Sequence, residues 1–326
     1  MTGTPDPAGA AKGPSGSGGP FAVGGRLDLV SVALGLGFAF MWSSAFASAV
    51  IIVAEAPPIL SLALRFAISG TAGVAIALAA GGSLRLTGAQ WRAVVVFGIC
   101  QNALYLGLNF VAMQTVEASL AAIVASTLPL LVALANWALF SERTRRLGVA
   151  GLLAGSLGVL LIMGTRIEDG ADTAGLALCV GGVVALTVAT LSIRGARGAT
   201  GGSVMGVVGL QMLVGAAALA PVGLLTETWD VEWSPRLLLA FAYTTAVPGL
   251  LATWVWFLLV RRIGATPAAT FHFLNPVFGV AIAWALLGER LGPLDVVGVA
   301  VVTAGILAVQ VSRAGGRRPA PARPGA

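Results

Sequence analysis

Few residues in this chain could do chemistry, and most of them lie inside apolar runs. Arg65 lies about seven residues past Pro58 in such a run. A charge placed in hydrocarbon costs roughly 2.5–3.5 kcal/mol on insertion scales and usually faces a cavity or a partner. Two readings stand: a guanidinium facing a cavity, whose planar fork suits a carboxylate, or a structural arginine reaching headgroups or neighbouring carbonyls. His272 and Asn275 fall one helical turn apart, and Pro276 follows them. Proline cannot bond back to the carbonyl four residues earlier, so the His272 carbonyl is freed. The sole histidine, with a reference pKa near 6.5, suits either a proton acceptor or a packing role. No Asp or Glu lies mid-run to continue a proton path. Asn102, Tyr105 and Asn109 recur at helical spacing, which puts their polar groups on one face, as a wet cavity wall or as hydrogen-bonding glue between helices.

Trp42, Gln211, Tyr243 and Trp254 add further polar or amphipathic groups, and Ser43, Ser44 and Thr127 add hydroxyls that often bond only their own backbone. A serine hydrolase using His272 is a weak alternative, because neither Ser43 nor Ser44 has a G-x-S-x-G setting and no acid is placed to orient the imidazole. No catalytic residue is assigned. Cys100 and Cys179 have no metal-ligand or disulfide spacing, and no G-x-x-x-x-G-K-[ST] stretch exists for a nucleotide. No metal or other cofactor is expected.

The elements that must hold these residues follow from composition. Of 326 residues 57% are hydrophobic and 10% charged, with 44 glycines, which departs from a soluble globular chain toward an all-α membrane protein. The net charge of +6 sits in short loops and tails, which argues against nucleic acid as a partner. Ten apolar runs approach the roughly 20 residues needed to cross a bilayer: Leu29–Val53, Pro58–Ala80, Trp91–Met113, Ala118–Phe140, Leu147–Gly164, Ala174–Ile193, Val204–Leu225, Leu237–Val260, Ala265–Leu287 and Leu294–Val311. Lipid offers backbone groups no partners, so such spans are helices. Residues 1–26 and 313–326 read as disordered tails, the second basic. Arg85, Arg92, Arg143, Arg145, Arg146, Arg194, Arg197, Arg261 and Arg262 fall in loops on one side, while Glu55, Glu117, Glu227, Glu232 and Glu289 fall on the other. The positive-inside rule then predicts a multi-pass plasma-membrane protein with both termini cytoplasmic.

The chain also repeats itself. Thr127-Leu128-Pro129 leads through an apolar helix to Glu142-Arg143, and Leu274-Asn275-Pro276 leads through another to Glu289-Arg290. A shift of 147 residues superimposes the two units and lays Ala118 on Ala265, Gly151 on Gly298 and Trp137 on Trp284. The division is residues 27–164 and 174–312, with five spans each. Five is odd, so the second copy enters the membrane inverted. Glu142-Arg143 and Glu289-Arg290 then mark helix ends on opposite surfaces, and Pro129 and Pro276 mark where two inverted helices can bend around a shared site.

Trp42-Ser43-Ser44-Ala45-Phe46, Leu64-Arg65-Phe66 and the paired Pro…Glu-Arg units, in a duplicated ten-span frame, resemble the drug/metabolite transporter superfamily of the EamA type. The resemblance covers roughly residues 29–311. It implies a secondary carrier that exports or exchanges a small organic metabolite, such as an amino acid, an amino-acid derivative or an amphipathic drug. A proton or a counter-substrate stands as the coupling partner. The resemblance also favours Trp42 as a cavity residue and ties the fifth and tenth spans, with Gly151, Gly155 and Gly158, to scaffold or homodimer packing. A non-transporting membrane scaffold is the remaining alternative.

Overall fold

The computed structural model describes residues 28–140, 146–168, 170, 172–192, 203–263, 268 and 271–314. Glu142 and Arg143 lie outside them. The helices are α1 Leu29–Glu55, α2 Pro58–Ala79, α3 Gly88–Ala112, α4 Ala118–Ser126 continued by Leu128–Phe140, α5 Arg146–Glu168, α6 Thr173–Ser192, α7 Val204–Thr226, α8 from Pro235–Thr244 through Thr245–Leu251 to Ala252–Ile263, α9 Phe271–Leu287 and α10 Pro293–Ala314. No strand occurs among the described residues. Helices α1 to α8 are long and apolar enough to cross a membrane, and α9 and α10 are shorter apolar helices over their described lengths. The protein is a multi-pass helical membrane protein.

Local chemistry sets the helix ends. The Asp28 carboxylate accepts from Ser31 N at 3.0 Å and caps α1. Thr87 and Gln90 form a reciprocal capping box at α3. Ser234 caps α8, with Pro235 in the first turn, where its missing N–H costs nothing. Between these ends the helices carry large apolar side chains outward, such as Leu153, Leu157 and Leu160 on α5, a surface suited to lipid rather than water.

Equivalent helices of the two halves pack against each other antiparallel. Along α2 the partner positions on α7 fall as the α2 number rises: Gly223 meets Leu60, Gly209 meets Gly70, and Ser203 meets Gly82. On α5 and α10, Gly151 meets Gly305 and Val309, while Gly158 meets Gly298 and Val302. Two copies of one helix can pack antiparallel across a bundle only if the copies are inverted. The Gly151, Gly155 and Gly158 face is therefore occupied within one chain, where small residues let the α5 and α10 backbones approach.

The copies share finer detail. Segment starts at 88 and 235, 98 and 245, 128 and 275, and 146 and 293 keep one offset of 147. The pair at 98 and 245 opens two π-helical segments, Gly98–Leu106 in α3 and Thr245–Leu251 in α8. Such widened turns often sit at functional sites. Helix α4 breaks at Thr127, just before Pro129, and α9 begins with a 3-10 turn, Phe271–Leu274, just before Pro276. Both breaks stand where a proline removes a backbone donor.

The face opposite the start of α1 is clipped by carboxylates. Glu227 accepts from Ile59 N and Leu60 N, both at 2.8 Å, and Glu289 accepts from Ala118 N at 2.8 Å and Ser119 N at 3.1 Å. Each caps the N-terminus of a first-half helix with a second-half acid, where the exposed N–H groups and helix dipole favour negative charge. Ser234 Oγ donates to the Glu55 carboxylate, and Thr115 Oγ1 donates to Asp172 at 2.7 Å. That hydrogen bond, with those from Ala174 and Gly175 N–H, lowers the Asp172 carboxyl below its ordinary range. On the opposite face Arg262 pairs with Asp28.

Candidate functional site

The described site is built on α1, α8 and the broken start of α9. Trp42 occupies the middle of α1, and Phe38 lies one turn before it on the same face. Four rings meet there. Phe38 lies 4.8 Å from Trp256, 5.1 Å from His272 and 5.8 Å from Trp42, centroid to centroid. His272 presents its ring near-perpendicular to Phe38 and Trp42, at 84° and 88°. Edge-to-face contacts of this kind match the positive rim of one ring to the negative face of another.

The 3-10 turn carries His272 into this cluster, and Gly35 makes room for the turn. A Cβ at Gly35 would lie 2.3 Å from the Phe271 ring, so only glycine lets α1 and the turn lie this close. The Asn275 amide stands 3.1 Å from His272 Nδ1. With the amide donating, Nδ1 accepts and the ring proton lies on Nε2. Asn275 Oδ1 is buried with no hydrogen-bond partner among the described residues, and an orphaned acceptor of this kind is costly to leave unmade. A separate open groove of about 460 Å³ lies along the first half of α1, lined by Leu29, Val30, Ala33, Leu34, Gly37 and Met41 with Val255 of α8.

The two serines of α1 fasten it to its neighbours. Ser43 Oγ donates to the Asn275 carbonyl oxygen at 3.2 Å, and Ser44 Oγ and the Tyr243 hydroxyl are 2.7 Å apart. Ser44 Oγ also donates to the Met41 carbonyl. Neither serine bonds His272. Thr127 Oγ1 donates to Val124 O at 2.7 Å and so satisfies its own helix break.

The remaining candidates lie apart from this cluster. Asn102, Tyr105 and Asn109 are buried in the packing of α3 against α6 and α7. The Asn102 amide donates to the Gln211 carbonyl at 2.8 Å, and that of Asn109 donates to Tyr105 O at 2.8 Å. Helical spacing put the three on one face, but it could not say that the face meets helices. Trp254 is 50% exposed on the outside of the bundle. Two positions on, nearly opposite on the helix, Trp256 faces inward and joins the ring cluster. The Phe38 signal was available as well, because it precedes Trp42 by one turn.

Arg65 is 5% exposed, and its Nε has no hydrogen-bond partner. Its guanidinium carbon lies 5.4 Å from the Phe66 ring centroid. Gln211 is half-buried on α7, and Pro129 and Pro276 flank the two helix breaks. Glu289 caps α4 at its helix end as described above, and Arg290 lies beside it in the loop before α10.

The EamA-like transporter family model matches residues 29–164 and again 174–310. The chain belongs to that family. Among EamA relatives, the transporter YvbV of Bacillus subtilis is 25% identical over 82% of this chain and 87% of its own length. The inner membrane transporter YedA of Escherichia coli is 24% identical over 84% of this chain and 88% of its own. The aromatic amino acid exporter YddG of Ancylobacter novellus is 36% identical over 126 residues, 39% of this chain and 43% of that protein. A crystal structure at 24% identity shares the fold, with a TM-score of 0.63 over 87% of this chain and 98% of that one. The protein is thus a membrane transporter of the EamA type.

Proposed function

We propose that this EamA transporter is a secondary carrier in the plasma membrane, with both termini cytoplasmic, that exports a small metabolite bearing an aromatic ring. Alternating access moves the substrate past a site between the two five-helix halves. The ring cluster of Phe38, Trp42, Trp256 and His272 carries the reading. These rings already satisfy one another, His272 edge-on to the other three and Phe38 tilted at 37° to both tryptophans, so an aromatic guest can replace ring contacts by ring contacts at little net cost. Asn275 Oδ1 supplies an acceptor without a partner, the kind of single placed polar group that orients a ligand in an apolar site. Similarity over part of the chain to a protein named an aromatic amino acid exporter supports the same class. A hydrolase would need a serine paired with His272, whereas Ser43 bonds the Asn275 carbonyl and Ser44 bonds Met41 and Tyr243.

Proteoliposomes loaded with L-phenylalanine or L-tryptophan test this. Trp256→Ala should slow efflux by about three- to tenfold, as expected for loss of a ring contact worth about 0.5–1.5 kcal/mol, while Trp254→Ala should leave it unchanged. Equal effects of the two substitutions would sink the ring site.

A further inference from the structure

The seam between α2 and α8 holds a charge without a partner, and its counterpart between α7 and α3 shows the same geometry filled. Arg65 and Gln211 are each the eighth residue of their helices, α2 from Pro58 and α7 from Val204. Asn102 and Gly249 are each the fifth residue of their π segments, from Gly98 and from Thr245. Across α3 and α7 the Asn102 amide donates to the backbone carbonyl of Gln211 at 2.8 Å and so fills the seam. Across α8 and α2 a glycine stands in place of the asparagine, no side chain fills the seam from α8 at that position, and the side chain that approaches the glycine from α2 is Arg65. A Cβ at Gly249 would lie 3.8 Å from Arg65 Nη2, 3.4 Å from Ser69 Oγ and 3.2 Å from the Thr244 carbonyl oxygen. Ser69 Oγ donates to the Thr245 carbonyl at 3.4 Å, a long bond that a better acceptor could displace.

The guanidinium keeps its proton in any protein setting. Here it is 5% exposed, lacks a bond at Nε and pairs with no carboxylate among the described residues. The Phe66 ring, 5.4 Å away, offers a face contact but no in-plane acceptor for the N–H fork. What the site lacks is an anion.

We infer that Arg65, with Ser69 and the Gly249 backbone, forms a subsite for the carboxylate of the transported molecule. The inference rests on the aromatic-substrate reading and narrows it to aromatic carboxylates over cations and neutral amphiphiles. Depth agrees with this. Arg65 lies about 10 Å in from the Pro58 end of α2, and Trp42 about 20 Å in from the same face along α1, at 1.5 Å per residue. An aromatic acid laid along the bundle would set its carboxylate at Arg65 and its ring toward Trp42 and Trp256.

The test is thermal stabilisation of the purified full chain by L-phenylalanine, L-phenylalaninamide and L-alanine. The acid should stabilise the wild type at concentrations about tenfold or more below those of the amide, because a charge-assisted bidentate contact is lost in the amide. Arg65→Gln should abolish that preference and leave the response to the amide unchanged. Arg65→Lys keeps the charge without the fork, should shrink the preference, and decides the matter if Arg65→Gln does not fold. If the acid and the amide act equally in all three proteins, the carboxylate subsite is overturned and the ring site stands. If phenylalanine and alanine act equally and both responses vanish in the Arg65 variants, the subsite stands and the aromatic reading falls. If no probe stabilises the wild type, both are overturned.

Discussion

The seam between α3 and α7 and the seam between α8 and α2 are made from equivalent segments of the two halves, yet they are finished differently. In the first, a Cβ at Gly98 would lie 2.7 Å from the Gln211 carbonyl oxygen, and one at Gly215 would lie 2.5 Å from Asn102 Cβ. Backbone rests on backbone there, and the asparagine amide closes the gap. In the second, a Cβ at Gly249 would lie 3.2 Å from the Thr244 carbonyl oxygen, and the charged side chain of Arg65 faces it at 3.8 Å. The same widened turn is thus closed by an asparagine in one copy and faces a buried arginine in the other. A duplicated backbone places the two seams alike, and single substitutions such as Asn102 against Gly249 decide how each is filled.

That contrast can be broken. Gly215→Ala should be the most damaging change, costing about 1–3 kcal/mol by overpacking against Asn102 Cβ at 2.5 Å, whereas Gly249→Ala, with 3.2 Å to its nearest neighbour, should lower the melting midpoint of the purified protein by less. Similar losses at both positions would mean that the seams are equally tight. Next in size are the carboxylate clips. Glu227→Ala and Glu289→Ala each remove a cap that accepts two backbone N–H groups, and each should cost about 0.5–2 kcal/mol, read as a lower melting midpoint that adds in the double variant. Asn102→Ala should cost about 0.6 kcal/mol and at most about 1.7 kcal/mol, the mean and maximum found for interhelical hydrogen bonds in a membrane bundle. If it costs nothing, the amide is not what closes the α3–α7 seam.

The smallest effect belongs to the opposite face. The hydrogen bond from Arg262 holds the Asp28 carboxyl below the usual carboxylate range, helped by Ser31. A lowered carboxyl contributes stability above its unfolded pKa of about 3.9, which is lost only as pH falls through the lower folded value. Between pH 5 and 8 the difference in midpoint between wild type and Asp28→Asn should therefore be constant. It should also be small and shrink with added salt, because both partners are exposed. A difference that changed between pH 5 and 8 would put another titrating group at this pair.

Much of the frame could be read from residue order because the bilayer leaves so few options. Apolar runs of spanning length dictate helices, an odd count per copy dictates inversion, and prolines 129 and 276 mark helix breaks through a missing donor. The site was less legible. Periodicity put Asn102, Tyr105 and Asn109 on one face, but whether that face meets water or α7 depends on helix rotation, which no single helix encodes. Trp254 and Trp256 have the same side chain two positions apart, and only the packing of α8 on α1 selects the second. The π segments left no mark in the apolar pattern beyond Pro248, since an extra residue per turn is a backbone event. Arg65 stood out at once as a charge among apolar residues, but its lack of a partner emerged only with the neighbouring helices in place.

The shared start of the two π segments, at Gly98 and Thr245, also means that the halves match in backbone hydrogen bonding and not only in residue order. The offset of 147 runs unbroken from the helix starts at 88 and 235 through the widened turns to the starts at 128 and 275, so each half spends the same length of chain on its irregular stretch even though the two widened segments end at different points.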